Sequence, residues 1–174
     1  MLATGLFRAT LVSIALLVAA CASAPPPAPS SLTTATPEAM VATIRAAAGN
    51  DPDELAVQPL RDPMVEDLRQ AAARLETQQQ YVQAAAALDK ALAISGDDPA
   101  LLQERAETAV LLRDFDQADS LAMRAWKLGA KVGPLCRRHW ATMQQARLAA
   151  GDAAGANVAA SQLEACKVDG PNRF

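Results

Sequence analysis

Apolar residues in this chain fall into two patterns. Between Ala9 and Ala24 they run almost without a break, whereas after Pro63 they are interspersed with polar and charged residues. No stretch alternates β-branched and aromatic residues with polar ones, as a half-buried strand requires. The pattern predicts an all-α fold with helices over 63–78, 81–95, 99–112, 115–129, 134–150 and 153–166. A shorter helix over 37–48 is entered through Thr36-Pro37 and left through Gly49-Asn50, ahead of a turn-rich linker. Aspartate–proline pairs open two of the long helices, at Asp62-Pro63 and Asp98-Pro99. Aspartate accepts from the free amides of a first turn, and proline fits where no amide donor is needed.

The helices repeat. Displacing the chain by 34 residues places Leu68 on Leu102, Ala72 on Ala106, Tyr81 on Phe115, Ala84 on Ala118 and Ala91 on Ala125. The small residues mark places where helices meet backbone to backbone. Four residues inserted after Leu128 bring a third unit into register. Trp140 then takes the bulky position, Ala156 and Ala160 the small ones, and Gly151-Asp152 the turn. The period and its bulky–small–aromatic–small order resemble the tetratricopeptide repeat over roughly 63–167. Leucine stands for the family's tryptophan at 68 and 102, and Gly96 and Ala130 stand where proline is usual. The resemblance implies about three antiparallel helix hairpins wound into a right-handed superhelix, with three units the minimum that buries a continuous core. It also implies a peptide-binding groove on the first helices, lined by Glu66, Arg69, Glu76, Gln103, Glu107, Arg138 and Gln145.

The apolar run near the start has a different meaning. It follows Arg8 and is shorter than the roughly 20 residues that span a bilayer, so it reads as a secretion signal. Val18-Ala19-Ala20-Cys21 resembles the lipobox of bacterial lipoproteins, with Val18 in place of the usual leucine. That resemblance implies cleavage before Cys21 and acylation of its thiol. A plain signal peptide cut near Ala22 or Ala24 is the alternative. The stretch ASAPPPAPSS cannot form helix or sheet and suits an extended stalk. Ala22 stands where inner-membrane lipoproteins carry aspartate, which implies an outer-membrane anchor facing the periplasm. The chain thus divides into a signal peptide at 1–20, a proline-rich tether at 21–36, a short helix and linker at 37–62, a repeat domain at 63–168 and a tail at 169–174.

Composition tempers the picture of the core. Of the 174 residues 41 are alanine and six are aromatic, so the core is thin and relies on close helix approach. A net charge of −3 gives no support to nucleic-acid binding. The charge is unevenly spread, however. Arg124, Lys127, Lys131, Arg137, Arg138 and Arg147 fall between Ser120 and Gly151 with no acid among them, whereas residues 89–119 carry eight acids. Arg137 and Arg138 sit in the first turn of a helix, where the dipole disfavours cations. Solvated helix faces with a chance asymmetry are the plainer reading, and the dipole position of Arg137 and Arg138 adds the expectation of a basic edge for an acidic segment or an anionic envelope polymer.

Cys136 lies near the start of the last hairpin and Cys166 at its end, each fifteen residues from Gly151. Helices of equal length would bring the two together, and a disulfide there would supply the cap that the array lacks. Free thiols remain an alternative. So does a metal site of Cys136, His139 and Cys166, although zinc ordinarily takes four ligands. His139 itself reads as a partly exposed helix residue. No phosphate loop, paired-histidine motif or serine elbow occurs, and no cofactor is implied.

The resemblance thus implies a lipid-anchored periplasmic adaptor, not an enzyme, that binds another envelope protein in assembling or regulating a machine such as a pilus, an insertion complex or cell-wall enzymes. Direct binding of peptidoglycan, or a hydrolase built on Cys136 and His139, are the readings beside it.

Overall fold

The computed structural model describes residues 30–49 and 62–167. Within them lie seven helices: α1 (Pro37–Ala46), α2 (Pro63–Thr77), α3 (Tyr81–Ser95), α4 (Pro99–Leu111), α5 (Phe115–Leu128), α6 (Pro134–Ala149) and α7 (Ala153–Ala165). They stop up to two residues short of the expected ends, where cap residues turn the chain. Cys21, the leader, the first part of the tether, most of the linker and the tail lie outside the described residues.

Each start has a local cause. Thr36, Asp62, Asp98, Asp114 and Asp152 accept hydrogen bonds from amides of the first turns of α1, α2, α4, α5 and α7. Proline opens α1, α2, α4 and α6. The stops inside the hairpins share one geometry. Gln79, Arg113 and Gly151 adopt φ of 58°, 61° and 81°. The next amide in each case, of Gln80, Asp114 and Asp152, donates to the carbonyl of Leu75, Ala109 and Arg147 at 2.9 Å. With the companion bonds from Gln79, Arg113 and Gly151 to Glu76, Val110 and Leu148, this is the Schellman arrangement, three times over. The three turns keep the register set by the 34-residue offset and its insertion.

The helices pair as antiparallel hairpins α2–α3, α4–α5 and α6–α7, with α3 packed on α4 and α5 on α6. Alanine makes this close stacking possible. Ala84, Ala91, Ala106, Ala118, Ala122 and Ala125 have no exposed surface. In the third unit Ala159, not Ala160, makes the close contact together with Ala156, a shift of about one position around the helix. Trp140 fills its bulky place and meets Trp126 edge-on, with ring centroids 5.1 Å apart.

The short helix α1 belongs to this core. It lies on the face built by the first helices and packs against α4 and α6. Met40, Val41 and Ile44 point inward beside Ala109, Val110, Leu111, Ala141 and Ala146. Burial of such side chains is worth about 1.5–3 kcal/mol each before the entropy cost of ordering the helix. The chain just before α1 is bound as well, since the Leu32 amide donates to the Leu148 carbonyl at 2.8 Å.

Candidate functional site

Where α1 lies across α4 and α6, a carboxylate is sealed beneath it. Glu107 of α4 is fully buried. It accepts from Arg45 of α1 at 2.8 Å, from Nε of Arg138 of α6 at 2.9 Å and from the Gln103 amide at 2.8 Å. Two guanidinium groups around one carboxylate meet the requirement that a buried charge be paired and hydrogen-bonded. Arg45 reaches on to Glu76 of α2 at 2.8 Å, and Glu76 accepts from the Thr108 hydroxyl at 2.9 Å. A single arginine of α1 thus ties two repeat units together.

Deeper in, Gln103 donates to Thr142 at 2.7 Å, which leaves its carbonyl oxygen facing Nδ1 of His139 at 2.7 Å. Because the amide nitrogen faces Glu107 and Thr142, the imidazole proton is assigned to Nδ1. Nε2 is buried with no hydrogen-bond partner. Burial, and then the charges of Arg138 and Lys131, lower the pKa of His139 to about 3. The histidine is therefore neutral and fully buried, which corrects the expectation of a partly exposed residue.

Cys136 and Cys166 form a disulfide, with Cα atoms 5.7 Å apart. Both are buried beside Trp140, and the Gly133 amide donates to the Cys166 carbonyl at 2.8 Å. Neither sulfur is free to attack a substrate or ligate a metal, and the neighbouring imidazole has no route to solvent. The hydrolase and metal alternatives lose their residues in this way.

The expected basic edge does not assemble. Arg137 is buried and donates to the carbonyls of Ala47 and Ala48 at 3.1 Å, where the C-terminal end of α1 attracts a cation. Arg138 is held by Glu107 and Arg147 by Asp119 at 2.7 Å. Arg124 pairs with Asp97, and Lys131 caps α5 through the Lys127 carbonyl while lying 4.4 Å over the Trp126 ring. Lys127 is exposed. The cation-rich and acid-rich windows of the sequence fall on neighbouring elements, and their charges stitch these together. The unfavourable dipole position of Arg137 and Arg138 is offset by these contacts.

The expected groove is narrowed for the same reason. Gln103 and Glu107 are enclosed beneath α1, and Gln145 is half-buried on α6, away from the opening. Glu66, Arg69, Glu76 and Arg138 do line an open cleft, between α1 and α2, with a volume of about 830 Å³. Sequence reasoning missed its other wall, Glu38 and Arg45 of α1, together with Glu104 and Tyr81. Arg69 bonds Glu104 at 2.9 Å and Glu66 at 2.8 Å, and the Tyr81 hydroxyl donates to Glu38 at 3.1 Å. The apolar triplet Met40, Val41 and Ile44 beside Arg45 was the available signal that α1 docks.

Neither family models nor curated proteins give a match to this chain. Among solved structures, the chain is similar to the globular C-terminal domain of LpoP from P. aeruginosa. The two share 27% sequence identity with a TM-score of 0.57, over 60% of this chain and 99% of that domain. The hairpin architecture is common to both.

Proposed function

We propose that this protein is a lipid-anchored periplasmic adaptor whose repeat domain binds another envelope protein and so assembles or regulates an envelope complex. The observation that carries this reading is the open cleft between α1 and α2. It is of a size to take a partner segment, and its arginines Arg45 and Arg69 are engaged in ion pairs with Glu107 and Glu104. The likeness to the LpoP domain supports a cell-wall enzyme as the partner, and a penicillin-binding protein comes first because LpoP is a lipoprotein activator of that class. The anchor is Cys21, after a signal peptide at 1–20, with residues from 21 onward as the tether and α1 joined to the repeat domain. The outer-membrane location rests on Ala22 and on the same likeness. Direct binding of an anionic polymer loses its main support, because Arg137, Arg138 and Arg147 are turned inward.

Crosslinking the full-length protein in its native envelope, followed by purification under denaturing conditions, tests the reading. A penicillin-binding protein is expected among the products, and the purified protein should change that enzyme's glycan-polymerising rate. Recovery of cell-wall sacculi alone, with no protein partner, would overturn it.

A further inference from the structure

We infer that the cleft between α1 and α2 receives a basic segment of the partner, one that sets lysine or arginine beside short apolar side chains. The inference rests on the partner-binding reading above and names the chemistry of its ligand. Three observations point to it. The first is shape. The cleft holds about 830 Å³, its floor is apolar at Val41, Ala72 and Leu88, and its sides carry the short residues Ala42, Ala73 and Thr77. Such a trough accepts a peptide with small or medium apolar side chains.

The second is charge. Among the residues that line the cleft, with Glu107 beneath it, five glutamates meet three arginines, and Arg113 is a further cation whose field reaches Glu38. The three lining arginines are committed already: Arg45 and Arg138 to Glu107, and Arg69 to Glu104. An incoming carboxylate would have to break one of these pairs, whereas an incoming cation adds a partner without breaking any.

The third is placement. Glu38 stands on the α1 wall and Glu66 on the α2 wall, both reachable from solvent. The Glu38 carboxyl is held below its ordinary range by its own backbone amide and by the Tyr81 and Thr36 hydroxyls, so it stays ionised. A segment lying in the cleft would pass between the two. Because α1 forms one wall, the site exists only while Met40, Val41 and Ile44 hold that helix in place.

The test uses the full mature protein in detergent and two fluorescent twelve-residue peptides. One alternates lysine with alanine and leucine, and the other carries glutamate at every lysine position. The lysine peptide is expected to bind, more weakly as salt is raised, and the glutamate peptide is not. Ala73→Trp, an exposed position, should fill the trough and abolish binding, whereas Val158→Trp on the exposed side of α7 should leave it unchanged. The double variant Glu38→Gln with Glu66→Gln should weaken binding by roughly fivefold or more and flatten its salt dependence. Circular dichroism establishes that each variant is folded. Equal binding of both peptides, no binding of either, or undiminished binding to folded Ala73→Trp protein would overturn the inference. Recovery of a partner by crosslinking alongside any of those results would leave the adaptor reading standing while this one falls.

Discussion

His139 has the chemistry of a catalyst and the surroundings of a core residue. Its ring is fixed by Gln103, which is fixed in turn by Glu107 and Thr142. The lowered pKa has a consequence for stability. In the unfolded chain the imidazole takes up a proton near pH 6.5, but in the folded protein only near pH 3. Between these values the unfolded state binds the additional proton, so this contribution is complete above pH 6.5 and is lost as the pH falls towards 3. A single such proton is worth about 1.4 kcal/mol per pH unit. Denaturant melts at pH 4, 5 and 6 should therefore show a slope with pH about that much shallower in His139→Gln than in the parent. Parallel slopes would show that the imidazole is protonated in the folded protein. Glu107 illustrates the same principle with a full charge. In the linear sequence it is one more acid on a helix; in the fold it is the counter-ion shared by α1 and α6.

Helix ends are where local sequence and fold agree most closely. Aspartate and threonine caps, with proline after most of them, set the starts from the identity of a few adjacent residues. The three hairpin turns add a subtler agreement, because each requires one residue in the left-handed region. Gly151 meets that requirement without strain, whereas Gln79 and Arg113 carry a Cβ where glycine is favoured. Gln79→Gly and Arg113→Gly are therefore expected to raise stability by up to about 1 kcal/mol each, and Gly151→Ala to lower it by a similar amount. Thermal melts of the three variants check this, and an opposite order would show that side-chain contacts of Gln79 and Arg113 outweigh the backbone cost. The element least legible beforehand was α1. Its existence and start followed from Thr36-Pro37, but ten residues of helix say nothing about what they pack on.

At the scale of the molecule, two devices hold together the three hairpins of the described residues. One is the Cys136–Cys166 disulfide at the last hairpin, and the other is α1 laid over the first helices with Arg45 and Arg137 as its clasps. The disulfide joins residues 30 apart and restricts the unfolded chain by about 3–4 kcal/mol. Against a total of about 5–15 kcal/mol this is a large share. Cys136→Ser with Cys166→Ser should lower the melting temperature markedly and expose α7 to protease before the first two hairpins. Unchanged melting and even proteolysis would show that the α5–α6 and α6–α7 packing already suffices.

The sequence by itself determined the helices, most of their caps and the 34-residue register with its insertion, and it brought Cys136 and Cys166 to the same end of the last hairpin. These depend on neighbours along the chain or on a repeated spacing, and the chain carries both openly. Only the tertiary structure decided which charges are spent and which are available. Read along the chain, Arg137 and Arg138 have no acidic residue within a turn of helix, and the Ala47 and Ala48 carbonyls and Glu107 that hold them lie about 90 and 31 residues away. The cleft differs from the expected groove for the same reason. Residues Gln103 and Glu107 vanish under α1, while Glu38 and Arg45 become a wall. Ion pairing over such separations leaves no periodic trace in a sequence, so the charge left over for a partner appears only when the helices are packed.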